Sequence, residues 1–168
     1  MPETKITLPL KRFLLIKDCP AEWTVFDLYI IRDDSVVFYV GQSQLAFARV
    51  WEHLLGGFHG HSLVGRFAWV NWPVSMKFTI ELLSSQSGEF ADVGNDLNAA
   101  EKKLIQQHSP CFNVVLNQQP TSLPASHLPA NVRKPLFLRG LNRLIREAER
   151  AVQADEKNSW MKEYQQTE

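Results

Sequence analysis

Two short runs of β-favouring residues, Leu28-Tyr29-Ile30-Ile31 and Val36-Val37-Phe38-Tyr39-Val40, stand on either side of Asp33-Asp34-Ser35. Turn-forming residues between branched and aromatic runs specify a β-hairpin, whose second strand Gly41 ends. The parity of the loop decides which side chains share a face. An odd-numbered Asp33-Asp34-Ser35 loop pairs Tyr29 directly with Tyr39 on one face. A two-residue Asp33-Asp34 turn puts the rings on opposite faces.

Around the hairpin the pattern alternates between helix and strand. Phe47, Val50, Trp51, Leu54 and Leu55 recur at helical spacing, so a helix is expected from Leu45 to Leu55, with Ser43 as its N-cap and Gly56-Gly57 as its stop. Residues 58–72 show no readable period. Met76 to Leu82 alternates polar Lys77, Thr79 and Glu81 with apolar Phe78, Ile80 and Leu82, a half-buried strand. A polar loop over 84–94 leads to a second helix from about Asp96 to His108, capped by Asn95 or Asp96 and closed before Pro110. Upstream, Ile6 to Ile16 favours β structure, but Pro9 confines it to an edge strand or an extended arm. After Asn117, prolines 120, 124, 129 and 135 mark an extended linker. A long amphipathic helix is expected from Leu136 to about Trp160, its first turns weakened by Gly140.

Composition narrows the class. At 168 residues with 45% hydrophobic and 21% charged side chains, the chain suits an ordered globular fold. No apolar run approaches the roughly 18 residues of a membrane span. The amino end, with Pro9 and Lys11-Arg12 interrupting its apolar residues, does not read as a signal peptide, and two cysteines are too few for a disulfide framework. A cytoplasmic protein is the expectation. Lys plus Arg balances Asp plus Glu at 18 each, so any polyanion contact must be local. The basic excess lies between Arg133 and Arg150, where Arg139, Arg143, Arg146 and Arg150 line one helical stripe opposite Leu138, Leu141, Ile145 and Val152. Such a stripe suits phosphate contact; it equally suits a solvated face paired with Glu147 and Glu149, or a dimerising helix.

The residue that fits its pattern least is Glu101. Leu97, Leu104 and Ile105 share its helical face, so a carboxylate stands within an apolar stripe, where it must be paired, hydrogen-bonded or bound to a metal. On the first helix Arg49 and His53 are one turn apart and face away from Val50 and Leu54. A zinc site from His53, His59, His61 and Cys111 is the rival use of the histidines, but the spacing matches no standard zinc pattern. His59 and His61 read better as contacts to phosphate or solvent.

Taken in order, Leu28-Tyr29-Ile30, Phe38-Tyr39-Val40-Gly41-Gln42-Ser43, Arg49-x3-His53, the helical Glu101 and Asn113 in Pro110-Cys111-Phe112-Asn113 resemble the GIY-YIG nuclease family over about residues 26–116. Asp27-Leu28 stands where that family usually has Gly-Ile. The resemblance implies an α+β fold with a small, mainly antiparallel three-stranded sheet flanked by helices, preceded by an extension (residues 1–25). A Pro-rich linker (117–135) and an accessory helix with its tail (136–168) would follow. It implies a metal-dependent DNA endonuclease. Glu101 would hold one Mg²⁺ (or Mn²⁺), and Arg49 would bind the scissile phosphate. Tyr29 would take the proton of the attacking water, its pKa lowered by Arg49 and the metal. Tyr39 and His53 would position water or relay protons, and Asn113 would orient neighbours. The residues alone leave open which tyrosine is the base. DNA is the implied partner, and cutting both strands would need a homodimer or sequential nicks. Two rivals remain: a binding module without cleavage, and a protein-interaction or structural domain. The second predicts Glu101 paired with a core cation and tyrosines that do not converge with Arg49.

Overall fold

The computed structural model describes residues 4–132 and 140–167. Four strands form one open antiparallel sheet: β1 (Lys5–Pro9), β2 (Leu28–Arg32), β3 (Val37–Gln42) and β4 (Thr79–Leu83), in the spatial order β1-β4-β2-β3. The expected sheet had three strands. The fourth is β1, which pairs with β4 from Lys5↔Leu83 to Pro9↔Thr79. Pro9 is tolerated because β1 is an edge strand and Pro9 is its last residue. The segment expected as an extension is therefore part of the body. Leu10 and Phe13, on the single turn α1 (Leu10–Phe13), and Leu14 after it are at most 1% exposed.

Strand alternation sends side chains to two cores. Tyr29, Ile31 and Phe38 pack with Val50, Phe67 and Phe78 on one face, under α2 (Ala46–Phe58) and α3 (Leu63–Val70). Leu28, Ile30, Val37 and Val40 pack on the other with Leu104 and Ile105 of α4 (Leu97–His108) and with Phe90. The α+β class is as expected, with helices on both faces.

Several boundaries differ from expectation for identifiable reasons. Gly56 and Gly57 do not stop α2, which runs on to Phe58. They lie where α2 meets α3: a Cβ on Gly57 would overlap the main chain of Gly65, and a Cβ on Gly65 would overlap the carbonyl of His53. These glycines permit close helix packing rather than a chain reversal. Ser43 accepts a hydrogen bond from the Leu45 amide at 3.3 Å, but it lies two residues before the N-cap, which is Leu45 itself. The unread stretch holds α3, capped by Ser62, whose Oγ accepts from the Gly65 amide at 3.2 Å. β4 begins at Thr79, because Val74–Lys77 winds into a 3₁₀ turn. Asp96 caps α4 as expected, accepting from Ala99 N–H at 2.9 Å.

The proline-rich segment is not a free linker. Between 117 and 132 it lies on the body, where Asn71 exchanges hydrogen bonds of 3.0 and 2.7 Å with the Leu128 backbone. His127 bonds Asp33 at 2.8 Å across the hairpin loop. The expected helix start at Leu136, Leu138 of its apolar side and Arg139 of its basic stripe lie outside the described residues. The described helix is α5 (Leu141–Thr167). Gly140, expected inside it, precedes it with φ of 82°, a conformation that favours glycine. Leu144, Ala148 and Val152 are buried against the body, and Glu147 accepts from Trp72 Nε1 at 2.7 Å. Lys11 pairs with Asp155 and Arg12 with Glu156. Among the described residues no helix is long and apolar enough to cross a membrane.

Candidate active site

The hairpin decides whether the two tyrosines can meet. Arg32 pairs with Val37, so the loop has an even number of residues, which by itself would separate the rings. A bulge then intervenes between Ile31 and Arg32, and the register becomes Ile31↔Tyr39, Ile30↔Val40 and Tyr29↔Gly41. The extra residue, Phe38, restores the parity and puts Phe38 and Tyr39 on one face. Tyr29 and Tyr39 are therefore diagonal neighbours, with ring centroids 6.0 Å apart, rather than a direct pair. Gly41 has a physical reason: a Cβ there would overlap the Tyr29 hydroxyl, so only glycine lets the ring cross its partner strand.

α2 passes over this face and adds Arg49 and His53. His53 Nε2 shares a hydrogen bond of 2.8 Å with the Tyr29 hydroxyl, and His53 Nδ1 shares one of 2.9 Å with Ser62 Oγ. The imidazole ring lies 5.6 Å from Tyr29 and 5.1 Å from Tyr39. Burial, reinforced by the positive charge of Arg49, pushes the His53 pKa down to about 4, so the ring is neutral at physiological pH. One nitrogen then donates and the other accepts, which links Tyr29 to Ser62 through a relay of neutral groups. Tyr29 itself is 1% exposed. Burial is the main cause that raises its pKa, with the Tyr39 ring adding to it; Arg49 pulls the other way and does not prevail. The expectation that Arg49 lowers the phenol's pKa holds for its contribution but not for the sum.

Arg49 and Glu101 flank this centre. Arg49 Nη1 donates to Glu52 Oε2 at 2.7 Å, an ion pair in which both side chains are about half exposed. Such pairs are weak and easily exchanged. Tyr39, Arg49, His53, His61 and Phe112 line a hollow of about 370 Å³. Glu101 stands on α4, on the far side of the sheet, and its charge makes the smallest of the contributions that raise the Tyr29 pKa. Its carboxyl is half-buried; burial raises its pKa, while the neighbouring Gln42 side chain opposes the rise. The neighbour is thus a neutral amide rather than a core cation. Gln42 also donates to Asn98 at 2.8 Å, which steadies the strand end.

Beside the Glu101 carboxylate stand the amide of Gln42 and, bonded to it, that of Asn98. That set fits a hard divalent cation, which keeps several of its waters and takes few protein carboxylates. Among the described residues no group of three His, Cys, Asp or Glu side chains could hold a metal, so the zinc alternative has no ligand set there. Cys111 is half-buried, with its amide bonded to the Val37 carbonyl at 3.1 Å.

Asn113 has a positioning place. Its Oδ1 accepts from Val40 N–H at 2.9 Å and its Nδ2 donates to the Val40 carbonyl at 2.8 Å, so it completes the outer edge of β3 beside Tyr39. His61 lines the hollow, and His59 is exposed nearby. Arg143, Arg146 and Arg150 are exposed on α5, opposite its buried side. Sequence reasoning missed Ser62, Glu52 and Gln42. Glu52 is three residues after Arg49, a spacing that pairs side chains on any helix. Ser62 ahead of the apolar run at 63–70 carried an N-cap signal. Nothing local announced Gln42. Asp27, at the departure from the family pattern, accepts from Ser85 N and Oγ at 2.8 and 2.6 Å and so anchors the loop after β4.

Compared with protein-family models, curated proteins and solved structures, the chain matches none.

Proposed function

We propose that this protein is a metal-dependent DNA endonuclease of the GIY-YIG type. The observation that carries the reading is a buried Tyr29–His53–Ser62 hydrogen-bond relay beside a hollow lined by Tyr39, Arg49 and His53, with Tyr29 also within reach of the Glu101 charge. A tyrosine and a histidine that merely packed would not need a glycine carved beneath the hydroxyl.

The chemistry follows from the environment of each group. Arg49 exchanges its exposed Glu52 partner for the scissile phosphate, whose oxygens match the guanidinium fork. Phosphate binding offsets the Arg49 charge that helps to depress His53, and so makes the imidazole a better base. Water attacks phosphorus opposite the bond to the 3′ oxygen. As it does so, its proton passes to the Tyr29 oxygen while the Tyr29 proton moves to His53 Nε2. The phenol therefore acts as a relay and need not ionise first, which its raised pKa would disfavour. Tyr39 orients the water. Glu101 would hold Mg²⁺ or Mn²⁺, which when bound supplies positive charge to a phosphoryl oxygen and to the departing 3′ oxygen. The exposed arginines of α5 would hold flanking phosphates.

Supercoiled plasmid incubated with the protein and Mg²⁺ tests the reading. Nicking is expected that chelator abolishes and that Glu101→Ala lowers at least about 100-fold. Plasmid that stays supercoiled while being retarded on a gel would instead indicate binding without cleavage, and undiminished nicking by Glu101→Ala would remove Glu101 from the site.

A further inference from the structure

After Val152 every residue of α5 from Gln153 to Gln165 is exposed; the helix still touches the body through Asp155 and Glu156 and runs on past them as an arm. Its faces are sorted by charge. Asp155 and Glu156 turn toward the body and meet Lys11 and Arg12. Arg143, Arg146, Arg150 and Lys157 fall on the stripe opposite Asp155, which Trp160 and Tyr164 continue at a spacing of three and four residues, with Glu156 one turn before Trp160 on its flank. Those two rings are stacked, with centroids 5.5 Å apart and planes within 17°, and they are 58% and 52% exposed. From Arg143 to Tyr164 the stripe spans about 30 Å at 1.5 Å per residue.

We propose that this face binds an unpaired strand of DNA: the basic residues track its backbone, and a base stacks on the Trp160 ring, which Tyr164 backs. Two features select this occupant. The stripe is basic along four of its positions, the complement of a phosphate chain, whereas a second copy of α5 would set like charges together if the helices ran parallel. Stacked aromatic rings offer a π-face that only a base outside a duplex can use, since paired bases present only their edges in the grooves. Place supports the same choice. Glu52 lines both the hollow with Arg49 and His53 and a neighbouring apolar hollow whose wall includes Ile145 of α5. Lys17 lines that second hollow and also a third, with Arg146. The first turns of α5 thus border hollows that adjoin the one with Arg49 and His53. Resting on the nuclease reading, the inference narrows the substrate to DNA with a single-stranded or branched segment beside the cut.

The test is fluorescence anisotropy of the full chain with a labelled thymidine oligomer of about 20 nucleotides and with a blunt duplex of equal length. Wild type is expected to bind both. Trp160→Ala should lower the ratio of single-strand to duplex affinity about tenfold, and Trp160→Phe should restore most of it. Arg146→Ala with Arg150→Ala should weaken both ligands and reduce the salt dependence. An unchanged ratio in Trp160→Ala overturns the proposal. So does sedimentation showing a dimer that Trp160→Ala dissociates while oligomer binding is untouched, since the face would then be a self-association surface. Trp160-dependent binding without plasmid nicking would retain the arm and reject the nuclease, and nicking with an unchanged ratio would do the reverse.

Discussion

The Tyr29 hydroxyl lies over a glycine on one side and against an imidazole on the other, and both neighbours are consequences of register. Because Gly41 lacks a Cβ, the phenol can extend across β3 to reach His53. Because His53 is buried beside Arg49, it stays neutral and can accept a proton when one is delivered. This has a measurable consequence for stability. Below about pH 6.5 the unfolded chain takes up a proton at this position that the folded chain refuses until about pH 4. The unfolded state thus binds more protons across that window, and stability falls as the pH drops through it. Urea unfolding of wild type and His53→Gln between pH 7 and pH 4 should show the steeper loss in wild type; parallel profiles would mean that His53 titrates normally.

At the scale of elements, two joints position the site. The first is the α2–α3 contact, where Gly65 meets the carbonyl of His53 and Ser62, the cap of α3, holds the same histidine's ring. A methyl group at 65 has no room, so Gly65→Ala should destabilise by about 1–3 kcal/mol and lower the thermal midpoint by several degrees. Thermal unfolding checks this, and a midpoint within a degree of wild type would show that the helices can part without loss. The second joint is the edge of β3, which Asn113 completes with two hydrogen bonds to Val40. Much of this was legible in the sequence. The hairpin, α4 with its Asp96 cap, and the one-turn spacing of Arg49 and His53 follow from local pattern. The Phe38 bulge was not, because branched and aromatic residues favour a regular and an irregular strand alike. Nor was the use of Gly57, since a glycine marks a stop and a close helix contact with the same letter.

For the whole molecule, an open sheet with helices on both faces solves a geometric problem. α2 brings Arg49 and His53 to one face, α4 carries Glu101 on the other within electrostatic reach of Tyr29, and β3 between them is an edge strand of the sheet among the described residues. Neither terminal segment is an appendage: β1 extends the sheet, and the first turns of α5 bury Leu144 and Ala148. Sequence pattern could not foresee these attachments, since they depend on contacts between residues far apart in the chain, such as Lys5 with Leu83 and Lys11 with Asp155. The pieces of the site were likewise readable one by one, whereas their convergence is a property of the packed chain. That convergence is best tested by a double-mutant cycle on the single-turnover rate of DNA cleavage with Mg²⁺, using His53→Ala, Glu101→Ala and the double variant. Groups that act as a unit lose their effect together. Each single variant should fall at least about 100-fold and the double no more than a few-fold below the worse of them. A wild-type rate in either single variant, or losses that multiply in full, would contradict a single shared site.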